Sequence, residues 1–93
     1  MSHPKVSVII VNYNGKKFLE KCLESLCKVN YENFEIIVVD NNSTDGSIEL
    51  VTKNYPSIIL LKLNSNKGFA EPSNIGAKIA NGKYLLFLNN DTI

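Results

Sequence analysis

Apolar positions along this chain fall into two alternating kinds of run. Short continuous stretches, rich in β-branched residues, occur at Val6-Ser7-Val8-Ile9-Ile10-Val11, Phe34 to Val39, Ile58 to Leu63 and Tyr84 to Leu88. Runs of this kind read as strands of a buried parallel sheet. Between them the apolar residues recur at helical spacing. Phe18, Leu19, Cys22, Leu23 and Leu26 form one stripe from Lys16 to about Lys28, with Glu20, Glu24 and Lys28 on the wet face. Asn14 is expected to cap this helix. A second helix is expected to start at a Ser43 or Thr44 cap, to carry Asp45 in its first turn, to turn Ile48, Val51 and Tyr55 inward, and to end at Pro56. Pro72 fits the first turn of a third helix with Ile75, Ile79 and Ala80 as its core stripe, and Asn81-Gly82 terminates it.

The order is strand–helix–strand throughout, with short connections. It predicts an α/β fold, Rossmann-like, in which right-handed crossovers build a mainly parallel four-stranded sheet covered by helices on both faces. Ninety-three residues suit one domain, residues 1–93.

Composition narrows the function classes. Apolar and charged fractions are those of an ordinary globular protein, and the net charge is +1 with scattered basic residues. Nothing points to nucleic acid or to a membrane surface. All ten basic residues are lysine, so no bidentate guanidinium can clamp a phosphate. Lysine, backbone N–H groups or a metal must serve instead. Cys22 and Cys27 match no zinc or redox spacing, and a reduced, cytoplasmic chain is expected. No run reaches the roughly 18–20 apolar residues of a membrane span, and Met1-Ser2-His3-Pro4 does not read as a signal peptide.

The candidate chemistry sits where strands run out. Asp40-Asn41-Asn42-Ser43 follows the second strand and Asn89-Asn90-Asp91-Thr92 the fourth. The carboxyl ends of parallel strands open into the crevice where α/β sheets bind ligands. The turn Asn12-Tyr13-Asn14-Gly15 after the first strand has a single glycine, which argues against a dinucleotide fingerprint. Tyr13 can stack on a planar base or simply pack over the sheet end. Asp40 can accept a hydrogen bond from a base or shape an Asx-turn. Asp91 can ligate Mg²⁺ or Mn²⁺ beside substrate phosphates, or be a loop aspartate. Asn66-Lys67-Gly68-Phe69 can bring a cation and bare backbone to a phosphate, or form a turn with Gly68 at positive φ and Phe69 plugging the core.

Taken together, these segments resemble the family 2 glycosyltransferases of GT-A fold. The resemblance runs from Val6 to Thr92: Val6 to Asn14 as the opening strand, Val38 to Ser47 as a second block, and Asn66-Lys67-Gly68-Phe69-Ala70 with Asn74-x-Gly76 as a third. That third block is prominent in the rhamnosyltransferase-like branch. Phe87-Leu88-Asn89-Asn90-Asp91-Thr92 resembles the metal motif. The resemblance implies a strand order of 3-2-1-4, with Val11 lining and Tyr13 stacking on the nucleotide base, and Asp40 reading its edge. Lys67 and Gly68 would lie near the diphosphate, and Asn90 and Asp91 would occupy the metal motif with Asp91 as ligand of Mn²⁺ or Mg²⁺. The implied donor is a UDP-, dTDP- or GDP-sugar, transferred to an acceptor hydroxyl with inversion. The family's general base, closing loop and acceptor half lie beyond the metal motif. No catalytic residue is therefore expected within this stretch, which reads as a donor-binding half without turnover of its own. Glu71-Pro72-Ser73 departs from the small residues common in this branch.

Two other readings are compatible with parts of the pattern. One is a non-catalytic nucleotide- or protein-binding α/β module. The other is a receiver-like domain, which needs carboxylates where this chain has Asn12, Asn14 and Asn64. The fourth strand, apolar throughout, is also expected to offer an edge for pairing with a second copy.

Overall fold

The computed structural model describes residues 4–29, 31 and 33–89. Seven elements follow in order: β1 (Val6–Asn12), α1 (Lys16–Cys27), β2 (Phe34–Asp40), α2 (Ser47–Asn54), β3 (Ile59–Lys62), α3 (Ala70–Ile79) and β4 (Tyr84–Asn89). The sheet is parallel throughout with the order β3-β2-β1-β4, as expected. β1 and β2 pair in register from Val6↔Phe34 to Asn12↔Asp40, and β1 pairs β4 from Val6↔Tyr84 to Val11↔Asn89.

Alternation along each strand divides the side chains between two layers. Val8, Ile10, Ile36 and Val38 pack under α1 and α2 with Leu19, Leu23 and Val51. Ile9, Ile37 and Val39 face α3, whose Ala77 packs against them. Both layers exclude water, which is why the central strands carry apolar residues at nearly every position. Cys22 is half-buried against the first layer, as a small core residue, and burial raises its thiol pKa.

Three expectations are corrected. Asn14 does not cap α1: Gly15 is its N-cap, and the Lys16 N–H is met from across the turn by Asp45 Oδ2 at 3.0 Å. Helix α2 begins later than Ser43 or Thr44, after Gly46 at φ 92°, and buries Ser47, Leu50 and Val51, with Ile48 less covered. Helix α3 buries Pro72, Ser73 and Gly76, while Ile79 stays 39% exposed. The cause is a close approach: a Cβ on Gly76 would stand 2.6 Å from Ile9 Cγ2 and 3.2 Å from Val39 Cγ2. The small face of the helix meets the sheet, and the larger isoleucines turn aside.

The amino end of the sheet is closed by Glu35. Ser7 Oγ–H and the Asn81 N–H both donate to Glu35 Oε2, at 2.6 and 2.7 Å, and Lys5 Nζ lies 3.6 Å from Oε1. Partial burial pushes the Glu35 pKa up, but the hydrogen bonds from Ser7 and Asn81 and the Lys5 charge outweigh it, and the net shift is downward. Among the described residues, no helix is long and apolar enough to cross a membrane.

Candidate functional site

In this strand order the chain leaves β1 on one side toward β2 and returns on the other side as β4. Helices α1 and α3 therefore flank β1 and β4 on opposite faces. That is a topological switch point, and the crevice outside the carboxyl ends of such strands is where open α/β sheets hold ligands. The residues that follow β1, β2 and β3 meet there.

A polar network builds its floor. Asp40 is 1% exposed, and its Oδ1 accepts from Asn12 Nδ2 (2.8 Å) and from the Ser43 hydroxyl (2.8 Å). Its Oδ2 accepts from the Ser43 N–H at 2.8 Å. The carboxylate thus shapes the Asn41-Asn42-Ser43 turn, one of the two roles expected of it, and brings Asn42 round at φ 68°. Ser43 Oγ in turn accepts from the Asn14 N–H (2.8 Å) and from Asn12 Nδ2 (3.1 Å), while Asn14 Oδ1 accepts from the Thr44 N–H (2.8 Å). Burying so many polar atoms is tolerated because they satisfy one another.

Asp45 ties the two helix starts together. Its Oδ2 meets the first amide of α1 and its Oδ1 the first amide of α2, Ser47 N–H, at 3.0 Å each. Partial burial raises its pKa. The hydrogen bonds from the Ser47 hydroxyl and from the Lys16 and Ser47 amides outweigh this and hold the carboxyl below its ordinary range. A negative charge at two helix amino ends is also favoured by their dipoles.

Asn41 reaches the other way. Its amide is 2% exposed, donates to the Gly68 carbonyl at 2.7 Å and accepts from the Lys67 N–H at 3.1 Å. The pairing copies a peptide–peptide contact and fastens the loop before α3 to the end of β2. Gly68 adopts φ 79°, as expected, but Phe69 is 40% exposed and does not plug the core. Ser73 Oγ, on the buried face of α3, has no hydrogen-bond partner among the described residues.

The expected site residues are thus partly assembled. Val11 is buried in the last turn of β1, and Tyr13 follows it with 38% exposure at the rim of the crevice. Lys67 and Gly68 stand across from them, held by Asn41. Asn90 and Asp91 lie outside the described residues. β4 delivers the chain to them from Asn89, whose backbone pairs with Val11. Among the described residues no group of three or more His, Cys, Asp and Glu is placed to hold a metal ion. Sequence reasoning missed Asn12, Asn41 and Asp45 as organisers of the site. The available signal was the clustering of amides and carboxylates at and just after the ends of β1 and β2. An open groove of about 650 Å³ runs between α1 and α2, past Lys16, Glu20, Glu49 and Lys53, and abuts the floor at Ser43 and Thr44. It carries mixed charge and does not include Tyr13 or Asp40.

Comparison with known proteins fits this geometry. Residues 7–93 match the model of the family described as glycosyl transferase family 2. A poly(ribitol-phosphate) beta-glucosyltransferase of Bacillus spizizenii is 36% identical over 93 residues, covering 94% of this chain and 15% of that protein. The Escherichia coli UDP-Glc:alpha-D-GlcNAc-diphosphoundecaprenol beta-1,3-glucosyltransferase WfaP is 41% identical over 87 residues, 92% of this chain and 35% of its own length. Among solved structures, S. aureus TarS 1-349 in complex with UDP superposes with a TM-score of 0.86 at 35% identity, covering 94% of this chain and 27% of that one. A Pyrobaculum calidifontis mannosyltransferase in complex with GDP-Man and Mn²⁺ superposes with a TM-score of 0.83 at 27% identity, covering 97% and 28%. The chain spans about a sixth to a third of the length of the two sequence relatives.

Proposed function

The chain belongs to glycosyl transferase family 2, and on that premise we propose that its described residues form the nucleotide-recognition part of a sugar transferase. The observation that carries this reading is the half-exposed Tyr13 at the switch-point crevice, beside a preorganised Asn/Asp/Ser floor. In this reading Tyr13 stacks on the base of a nucleoside-diphosphate sugar and Val11 lines its edge. Asp40 is assigned to a base N–H through Oδ2, which receives one hydrogen bond where Oδ1 receives two; at 1% exposure it requires the Asn41-Asn42-Ser43 turn to shift when the base enters. Lys67 and the Gly68 backbone face the diphosphate, and Asn90 is assigned to nucleotide binding from the family resemblance. Support comes from solved relatives holding UDP, UDP-GlcNAc and GDP-Man.

Asp91 is assigned as the carboxylate for Mn²⁺ or Mg²⁺, with a Mn²⁺-bound relative as support. Hard cations take one or two carboxylates together with phosphate oxygens. Such a metal supplies charge neutralisation at a departing diphosphate. Placement in the rhamnosyltransferase-like branch, inversion at the sugar, a hexosyl or rhamnosyl donor and a role in polysaccharide synthesis belong to the same proposal. So does a cytoplasmic location, which suits the two free thiols.

Half of a donor site buries only part of the ligand, so affinity near the millimolar range, about −4 kcal/mol, is expected for the 93-residue chain. Tyr13→Ala removes one stacking face and should weaken binding by about tenfold, from roughly 1–3 kcal/mol of base stacking. Asp91→Ala should abolish the gain on adding Mg²⁺ or Mn²⁺ while leaving metal-free binding in place. Calorimetric titration with UDP, dTDP and GDP reads both effects. Binding that ignores Tyr13→Ala would overturn the stacking role, and a metal response retained by Asp91→Ala would overturn the metal assignment.

The same reading includes self-association of this chain through β4. Its residues Tyr84, Leu85, Leu86 and Phe87 are 55%, 41%, 47% and 41% exposed, so the strand presents half-exposed apolar side chains on both faces. An open apolar edge is a template for strand pairing. Light scattering over a concentration series should show a dimer that Leu86→Lys suppresses. A monomer at every concentration would refute it.

A further inference from the structure

The sequence contains Asn-Gly twice, at Asn14-Gly15 and at Asn81-Gly82, and the fold treats the two very differently. We propose that Asn14 is a site of spontaneous deamidation in the native protein, and that Asn81 is protected. In an Asn-Gly pair the glycine amide nitrogen attacks the asparagine Cγ. A new N–Cγ bond closes a five-membered succinimide, the Cγ–Nδ2 bond breaks, and ammonia leaves with the amide proton. Water then opens the ring at either carbonyl, giving aspartate or isoaspartate. No oxidant or partner molecule is needed beyond water.

Three features at Asn14 favour the attack. The Gly15 N–H has no hydrogen-bond partner among the described residues, so its nitrogen is open to deprotonation by hydroxide. Asn14 Oδ1 accepts from the Thr44 N–H at 2.8 Å, which draws electron density from Cγ, while Nδ2, the leaving group, has no partner among the described residues. The residue is exposed, so hydroxide and water reach both the Gly15 nitrogen and the ring that would form. At the second pair the nucleophile is engaged: the Gly82 N–H donates to Ser7 Oγ at 2.8 Å, and Ser7 is fully buried. A Cβ at Gly82 would lie 2.6 Å from the Ser7 backbone nitrogen, so this segment is clamped against β1 and cannot swing to close a ring.

Isoaspartate at position 14 adds a carbon to the backbone between Tyr13 and α1, and it separates the Asn14 N–H from Ser43. Under the nucleotide-binding proposal, on which this clause alone rests, ageing of Asn14 would therefore blunt base recognition.

The test is peptide mapping by mass spectrometry after incubation of the folded chain in mildly alkaline buffer, repeated in denaturant. In the folded protein the Asn14 peptide should acquire the amide-to-acid mass shift at least roughly tenfold faster than the Asn81 peptide, a barrier difference of about 1.4 kcal/mol. In denaturant both pairs lose their structural context and the gap should close. Equal or slower conversion of Asn14 in the folded protein would overturn the proposal, and so would a gap that persists after unfolding. Neither readout depends on ligand binding, so failure here leaves the nucleotide reading standing, and the converse.

Discussion

Asp40→Ala is expected to lower stability by about 3 kcal/mol, because it strips the acceptor from three hydrogen bonds at once. The fully buried Asn12 amide loses its 2.8 Å partner, and the half-buried Ser43 N–H loses its acceptor among the described residues. Taking the partner from a buried donor costs roughly 1–3 kcal/mol. Asp40→Asn keeps the shape but turns an NH₂ group toward either the Asn12 amide or the Ser43 N–H, so it should recover only part of the loss. In a domain of this size each kcal/mol moves the melting temperature by about 4–8 °C. Thermal unfolding of the variants is the check. A melting temperature for Asp40→Ala near that of the parent chain would mean that the turn does not depend on the carboxylate.

Gly82→Ala should destabilise by a similar amount, about 3 kcal/mol, for a steric reason. The added methyl would stand 2.5 Å from Ser7 Oγ, 2.6 Å from the Ser7 nitrogen and 3.0 Å from the Tyr84 carbonyl oxygen. Ser7 cannot yield, since β1 pairs with β2 through Ser7↔Glu35 and with β4 through Ser7↔Leu85. Its hydroxyl, moreover, links Gly82 to Glu35. Gly68→Ala is the informative control. Nothing lies within 4 Å of a Cβ there, and only the left-handed φ of 79° resists it, for about 1–2 kcal/mol. Urea unfolding of the two variants separates them. If Gly68→Ala proves the more damaging, the amino end of the sheet is softer than its contacts imply.

The strands were readable because short continuous apolar runs bounded by turn residues have few other interpretations, while their order came from the family resemblance rather than from the pattern itself. Their ends were off by a residue or two, at Asn12, Asp40 and Ile59. The inward face of α3 was misjudged for a definite reason. Periodicity assigns large apolar residues to the core, but Gly76 permits backbone contact with Ile9 and Val39, and the helix turns its small face inward. The caps failed similarly: Asn14 works across the turn on Thr44 rather than on its own helix, and Asp45 serves the first amides of both α1 and α2, partnerships that reach about 30 residues along the sequence. At the candidate site, Tyr13 and Asp40 were legible as residue types at strand ends, and Lys67–Gly68 as a turn before a helix. Asn41 was not, because its role depends on a loop 26 residues away meeting it in space.

In the proposed function the nucleotide enters the crevice at the carboxyl ends of the strands, not the groove between α1 and α2. An amide NMR titration of the chain with UDP, dTDP and GDP in the presence of Mg²⁺ tests it most directly. Shifts are expected to concentrate at Val11 to Gly15, Asp40 to Ser43 and Lys67 to Gly68 for at least one of the three, growing with ligand concentration and shrinking in Tyr13→Ala. Shifts confined to Lys16, Glu20, Glu49 and Lys53, or no response to any of the three nucleotides, would contradict it.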